Sequence, residues 1–272
     1  MSNPIDKIYQ EIISSMKNGY SKADVLKDFY SSMDFSTMKL EVKDYGFDFL
    51  ETMEKAGIIV EYVELKGLIH KYKLKNIKPV YQKYLLEQHI EQSGNVCGYY
   101  HKTHNNVFSF NLDNSHNENN TELTIEMRTA VQVIRKYLNE VGIEPLIINS
   151  GRGYHIHTRL DKPVSNEKIQ KFMISVTART QVTIKDLGMD VAKVIFNNYP
   201  GKDTRIGSLR LFGSDHIKNQ VFSHVCTKQG VLNERDSWIY FADYINKHTI
   251  TEEQLDKAII DIEDILFVGA ED

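Results

Sequence analysis

Ser150-Gly-Arg-Gly-Tyr-His155-Ile-His157 constrains this 272-residue chain more than any other stretch. An apolar run, Pro145-Leu-Ile-Ile-Asn, leads into it, and an alternating run, Tyr154-His-Ile-His-Thr-Arg-Leu, leads out. Strand signals on both sides of a glycine-bracketed tetrapeptide predict two strands joined by a tight turn. Gly151 and Gly153 permit backbone conformations closed to other residues and bring N–H groups close to a ligand. Arg152 carries a planar fork that matches phosphate oxygens. His155 and His157 share one face of the second strand, because side chains alternate with period two. With Ser150, they read as a triphosphate-binding turn. The alternative is a plain hairpin with two surface histidines.

Two further segments carry candidate chemistry. In Ser208-Leu-Arg-Leu-Phe-Gly-Ser-Asp-His-Ile-Lys218 a strand ends at Phe212 and Gly213 turns the chain. Ser214, His216 and Lys218 then alternate and, with Arg210, form a second cluster suited to a polyanion or to a solvated edge. In Val107-Phe-Ser-Phe-Asn-Leu-Asp113 an apolar strand delivers Asn111 and Asp113 to one face. Phosphoryl transfer by two metals needs carboxylates that bridge cations about 4 Å apart, and Mg²⁺ takes hard oxygen ligands. Here one of the two positions is an amide.

The rest of the chain supplies a scaffold. Residues 1–20 predict an amphipathic helix through Ile5, Ile8, Ile12 and Met16. Ser21 caps a helix through Phe29, a second helix spans about 45–55 and stops at Gly57, and residues 58–74 read as a hairpin. Helices followed by a hairpin describe either a winged helix or a helical cap on the main domain. The polar stretch 76–95, with Pro79, marks the boundary, giving a region 1–80 and a main domain 81–272. Within the latter, helices are expected over about 122–141, 166–182 and 251–267. The alternation is α+β and not a regular βαβ series.

A net charge of −4 excludes a uniformly basic duplex binder, so nucleic-acid contact must come from a local patch. Two cysteines, Cys97 and Cys226, make no disulfide framework, and Met1-Ser-Asn-Pro-Ile-Asp has no basic-then-apolar pattern; a reducing cytoplasm is expected. No run of ~18 apolar residues is present, so no membrane span is expected.

The three segments together resemble the archaeo-eukaryotic primase superfamily, which includes primase small subunits and primase-polymerases. That family carries an Asp-hydrophobic-Asp strand, a Ser-x-His-type motif, and a third metal-binding Asp ahead of an Arg-Leu-x-Gly-Ser-x-His-x-Lys-like segment. Ser150–His155 is similar to the second motif and Leu209–Lys218 to the segment after the third, over roughly 96–245. The resemblance implies an α+β, primase-type catalytic core behind a small helical or winged-helix N-terminal region. It implies primer or DNA synthesis from nucleoside triphosphates on single-stranded DNA, with Mg²⁺ or Mn²⁺, alongside a replicative helicase or accessory subunit. Ser150, Arg152 and His155 would hold the triphosphate, Arg210, Ser214, His216 and Lys218 would complete its site, and Asp113 would hold metal.

Two positions depart from the pattern. The first Asp falls on Asn111, and the third falls near Asn197 or Asn198, with Asn198 taken as its counterpart and Asp190 and Asp203 as alternatives whose spacing fits less well. A neutral amide offers one oxygen and cannot bridge two cations, so the chain reads as a catalytically disabled form. Its alternative is a non-catalytic nucleotide- or single-strand-binding subunit of a replication initiation complex. Cys97-x3-His101-x2-His104, with His116 or Cys226, is not a standard zinc spacing, and no structural zinc is expected. Trp238, Tyr240 and Phe241 are read as the buried edge of a final strand, or as a surface for stacking on bases.

Overall fold

The structure is a computed structural model, and it describes residues 21–43, 47–66, 68–91, 95–100, 102–114, 123–200, 208–218 and 220–268. The helix expected over 1–20 lies outside the described residues. Two compact units divide the chain: Met1–Lys102 with Thr204–Ser223, and Thr103–Asp203 with His224–Asp272.

In the first unit, α1 (Lys22–Phe29) starts where its sequence says it should. Ser21 Oγ accepts the Asp24 N–H at 3.3 Å, and the Ser21 N–H donates to Asp24 Oδ2 at 2.7 Å. This reciprocal cap satisfies two donors that a helix end otherwise leaves unpaired. One face of α1 buries Ala23, Val25, Leu26 and Phe29. Strand β1 (Met38–Lys43) alternates, burying Met38, Leu40 and Val42. Helix α2 (Phe47–Lys55) gives way to Gly57 at φ 81°, a left-handed conformation that glycine adopts without strain.

Strands β2 (Ile59–Lys66) and β3 (Ile69–Lys75) form the expected hairpin. It is not a free wing. After α3 (Pro79–Ile90), β4 (Asn95–Tyr100) pairs with β1, and β9 (Ser208–Arg210) pairs with β4. The result is an antiparallel sheet in the order β2-β3-β1-β4-β9. The boundary expected at 80/81 falls inside the first turn of α3. Because β1 takes β4 as a partner, the first unit continues to Lys102, and because β4 takes β9 it regains Thr204–Ser223. A buried imidazole ties these segments. His89 Nδ1 accepts the Cys97 N–H at 3.0 Å, and Nε2 lies 3.1 Å from the Phe212 carbonyl oxygen.

The second unit is built on the sheet β11-β10-β6-β7-β5-β8. Its strands are β5 (His104–Asn114), β6 (Leu146–Asn149), β7 (Gly153–Ser165), β8 (Val194–Tyr199), β10 (His224–Thr227) and β11 (Gly230–Val231). On one face Phe108, Phe110, Leu112, Ile147 and Ile156 pack with residues of three helices. From α4 (Ile125–Glu140) come Val131, Ile134 and Leu138; from α5 (Asn166–Asp186), Ile169, Phe172 and Val176; from α7 (Glu252–Val268), Leu255 and Ala258. Each fully buried Val, Leu, Ile or Phe among them contributes about 1.5–3 kcal/mol, so this face fixes the register of the sheet. A slip of one residue would exchange the two faces of β5.

The segment with Trp238 and Phe241 is a helix, α6 (Glu234–Lys247), and not the strand expected. Asn233 Oδ1 caps it by accepting the Asp236 N–H at 2.9 Å. Trp238 and Phe241 are both buried, edge to face with ring centroids 6.1 Å apart, which removes them as a stacking surface; Tyr240 is half-buried. Among the described residues, no helix is long and apolar enough to cross a membrane.

Candidate functional site

The helix-free alternation of β5 sets the site. With Phe108, Phe110 and Leu112 committed to the core, Ser109, Asn111 and Asp113 must share the opposite face. Strand register then brings distant parts of the sequence to them. Asn111 stands opposite His155 of β7 on one side and Asn197 of β8 on the other. These three residues form one cross-strand row, in which direct neighbours have Cβ atoms roughly 5 Å apart. Ser109 stands opposite His157 and Tyr199, and Asp113 opposite Gly153 and Ile195.

The row is largely buried. Asn111 and His155 are each 8% exposed, so the histidines are not the surface residues of a plain hairpin. The Asn111 amide donates Nδ2 to Asp113 Oδ2 at 3.0 Å, while its Oδ1 is buried with no hydrogen-bond partner. Ser109 Oγ and His157 Nδ1 share a hydrogen bond of 2.5 Å, which holds His157 edge-on against His155, ring centroids 5.7 Å apart. Burial, and then the negative charge of Asp113, push the Tyr199 hydroxyl above its ordinary pKa.

The turn Ser150–Gly153 joins β6 to β7 as expected, but its amides are used internally. The Ser150 N–H donates to the Gly153 carbonyl at 2.9 Å, and the Gly151 N–H donates to Asn149 Oδ1 at 2.9 Å. Gly151 sits at φ 89°. Gly153 is required for a different reason: a Cβ there would fall on the Leu112 carbonyl oxygen of β5. The two glycines therefore shape the turn and let β7 approach β5. Ser150 is buried; Arg152 is half-buried, and its Nε has no hydrogen-bond partner.

Asn198 is not part of this face. It stands opposite Phe110, on the helix-covered side, and its Oδ1 accepts from Thr177 Oγ1 of α5 at 3.2 Å. Period-two alternation makes Asn197 the member of the pair that meets Asn111. Sequence spacing alone did not separate the two, because the strand limits of β8 were not apparent.

Arg210, Ser214, His216 and Lys218 lie in the first unit. Residues 213–218 and 220–222 make a closed reversal and not an alternating strand: the His216 N–H donates to Val221 O at 2.8 Å, and Asp215 bridges to Phe222. Ser214 is buried, its carbonyl accepting from Arg210 Nη1 at 3.3 Å and Ser223 Oγ at 2.9 Å, whereas Lys218 is exposed. Cys97, the first of the zinc candidates, is buried, and its Sγ donates to Leu85 O at 3.5 Å; burial pushes its thiol up to about 12. His101 and His116 lie outside the described residues.

No family model matches the sequence, and no curated protein matches it. The solved structures similar to the chain include these two. One is the polymerase domain of Mycobacterium tuberculosis Ligase D in complex with DNA, at 11% identity over 91% of this chain and 90% of that one, with a TM-score of 0.42. The other is the AEP domain of the cyanophage S-2L primase-polymerase, at 12% identity over 77% of this chain and 90% of that one, with a TM-score of 0.33. Both scores lie below 0.5, and the reading of function rests on the side chains of the site.

Proposed function

We propose that this chain is a nucleotide-binding domain of the primase-polymerase type, with Ser150, Arg152 and His155 holding a nucleoside triphosphate. The observation that carries this reading is the row His155–Asn111–Asn197. Two of the segments singled out for one chemistry, Val107–Asp113 and Ser150–His157, meet on one sheet face, and β8 adds Asn197 to the same row. A fold that needed only a hairpin here would have no reason to bury an amide and an imidazole side by side, with a second, half-buried amide next to them.

The divalent metal pair implied by the resemblance does not fit the residues present. Among Ser109, Asn111, Asp113 and their register partners on β7 and β8, Asp113 is the one carboxylate. A cation pair needs carboxylates that bridge it, and Asp113 already receives the Asn111 amide. The chain therefore retains a triphosphate cradle and has lost most of the capacity for template-directed synthesis. On this reading single-stranded DNA is its second ligand and a replicative helicase or accessory subunit its partner.

Primer synthesis on single-stranded template, with nucleoside triphosphates and Mn²⁺, tests the reading together with direct nucleotide titration. Triphosphate binding with little or no product is the expected result. Rapid primer synthesis by the unaltered chain would overturn the loss of catalysis, and absence of triphosphate binding would overturn the cradle.

A further inference from the structure

The Asn111–Asp113 contact has the geometry of a charge already compensated. Where two carboxylates flank each other on one strand at such a distance, they cannot both ionise unless a cation lies between them. Here one partner is an amide, and its Nδ2–H points at Asp113 Oδ2 across 3.0 Å. A hydrogen bond to an ionised acceptor is among the stronger ones, and this one is sheltered, Asn111 being 8% exposed. The opposite orientation of the amide would set Oδ1 against Asp113 Oδ2, acceptor against acceptor, an arrangement that a cation alone could hold. The observed orientation places Oδ1 on the other side of the amide from Asp113, buried and without a partner. A buried acceptor of this kind is unfavourable until something donates to it, and a sugar hydroxyl of a bound nucleotide has the right chemistry.

Building on the triphosphate-binding reading, we propose that the site binds its nucleotide free of divalent metal. Asn111 takes over the compensation of Asp113 that a cation provides between two carboxylates, and its Oδ1 accepts from the ligand. Arg152, whose buried Nε has no hydrogen-bond partner, would supply the positive charge that a cation otherwise brings to the triphosphate. Asn197 extends the row with a second neutral amide, so no further negative charge meets the phosphates.

The test uses the full chain, ATP as the probe, and Mn²⁺ alone as a second probe. For the unaltered protein, ATP affinity should differ by less than about threefold, under half of a tenfold step, between excess EDTA and Mn²⁺. Mn²⁺ alone should leave its melting temperature unchanged. Asn111→Asp should reverse both: ATP affinity should fall at least about tenfold in EDTA and recover in Mn²⁺, and Mn²⁺ alone should raise the melting temperature, as ligand binding to the folded state does. Unaltered protein that binds ATP only with Mn²⁺ would overturn metal-free binding while leaving the triphosphate reading intact. Unaltered protein that binds no ATP under either condition would overturn that reading and this inference with it. The unaltered chain suffices for both outcomes if Asn111→Asp does not fold.

Discussion

Asn111 and Asp113, two residues apart on β5, are joined by a 3.0 Å hydrogen bond from the Asn111 amide to the Asp113 carboxylate. The bond exists because alternation puts both side chains on the face that the core leaves open, and because one of them is neutral. It determines what the rest of the row can do. His155 and Asn197 stand beside Asn111, and neither supplies a second carboxylate.

Register makes Asn197 and Asn198 experimentally distinct. Asn111→Asp combined with Asn197→Asp returns two carboxylates to the face of Asp113 and should yield primer product with Mn²⁺ where the unaltered chain yields little. Asn111→Asp combined with Asn198→Asp should not, because position 198 faces α5. Asn198→Ala should instead lose its bond to Thr177, at a cost of about 0.5–1.5 kcal/mol in urea unfolding, with nucleotide affinity unchanged. Equal product from the two doubles would contradict the strand pairing.

Gly153→Ala should be more damaging than its size implies. The added methyl would meet the Leu112 carbonyl oxygen, a backbone atom in the middle of the sheet. Overpacking of this kind costs about 1–3 kcal/mol, and relief would require β7 to part from β5 where it carries His155. Chemical denaturation should show the loss, with weaker nucleotide binding alongside it. Gly151→Ala meets strain from φ 89°, at about 1–2 kcal/mol. A melting temperature within error of the unaltered chain for Gly153→Ala would refute the close approach.

Acid should weaken the first unit through His89. Burial holds the ring neutral, its pKa pushed down to about 3, with Nδ1 accepting from Cys97 and Nε2 against the Phe212 carbonyl. The unfolded ring titrates near 6.5. Between those values the unfolded chain binds the extra proton, so stability rises with pH there. It is fully present above about 6.5 and is lost toward 3, by up to ~1.4 kcal/mol per pH unit. Urea unfolding midpoints measured from pH 7 down to about 4.5 should fall, and His89→Gln should flatten that slope while lowering stability at pH 7. An unchanged slope in the variant would place the acid sensitivity elsewhere.

Much of the second unit was legible in the sequence, since its helices and strands carry strong periodicity: the helix expected over about 122–141, the alternating β5 and the glycine-bracketed turn all stand where expected. The first unit was less so. Helix α3 buries Leu85, Leu86 and His89, a set without a regular apolar stripe, and its polar residues read as a linker. β1 is six residues long and gains its meaning only from partners β3 and β4, far along the chain. The site was legible in composition but not in register. Spacing found Asn111, Asp113 and His155, yet only the pairing of β8 with β5 selected Asn197 over Asn198. The internal use of the Ser150 and Gly151 amides was equally hidden, because it depends on the Gly153 carbonyl and the Asn149 side chain closing the turn.

The most direct test of the triphosphate cradle is the affinity of Arg152→Ala for a nucleoside triphosphate, measured by calorimetric titration beside the unaltered chain. Arg152 lies outside the sheet core, half-buried with Nε unpartnered, so the variant should keep its fold and melting temperature. Loss of charge-assisted bonds of ~1.5–3 kcal/mol should weaken binding by about tenfold to a hundredfold. Unchanged affinity in a folded Arg152→Ala protein would contradict the assignment of Ser150–His155 as the triphosphate site.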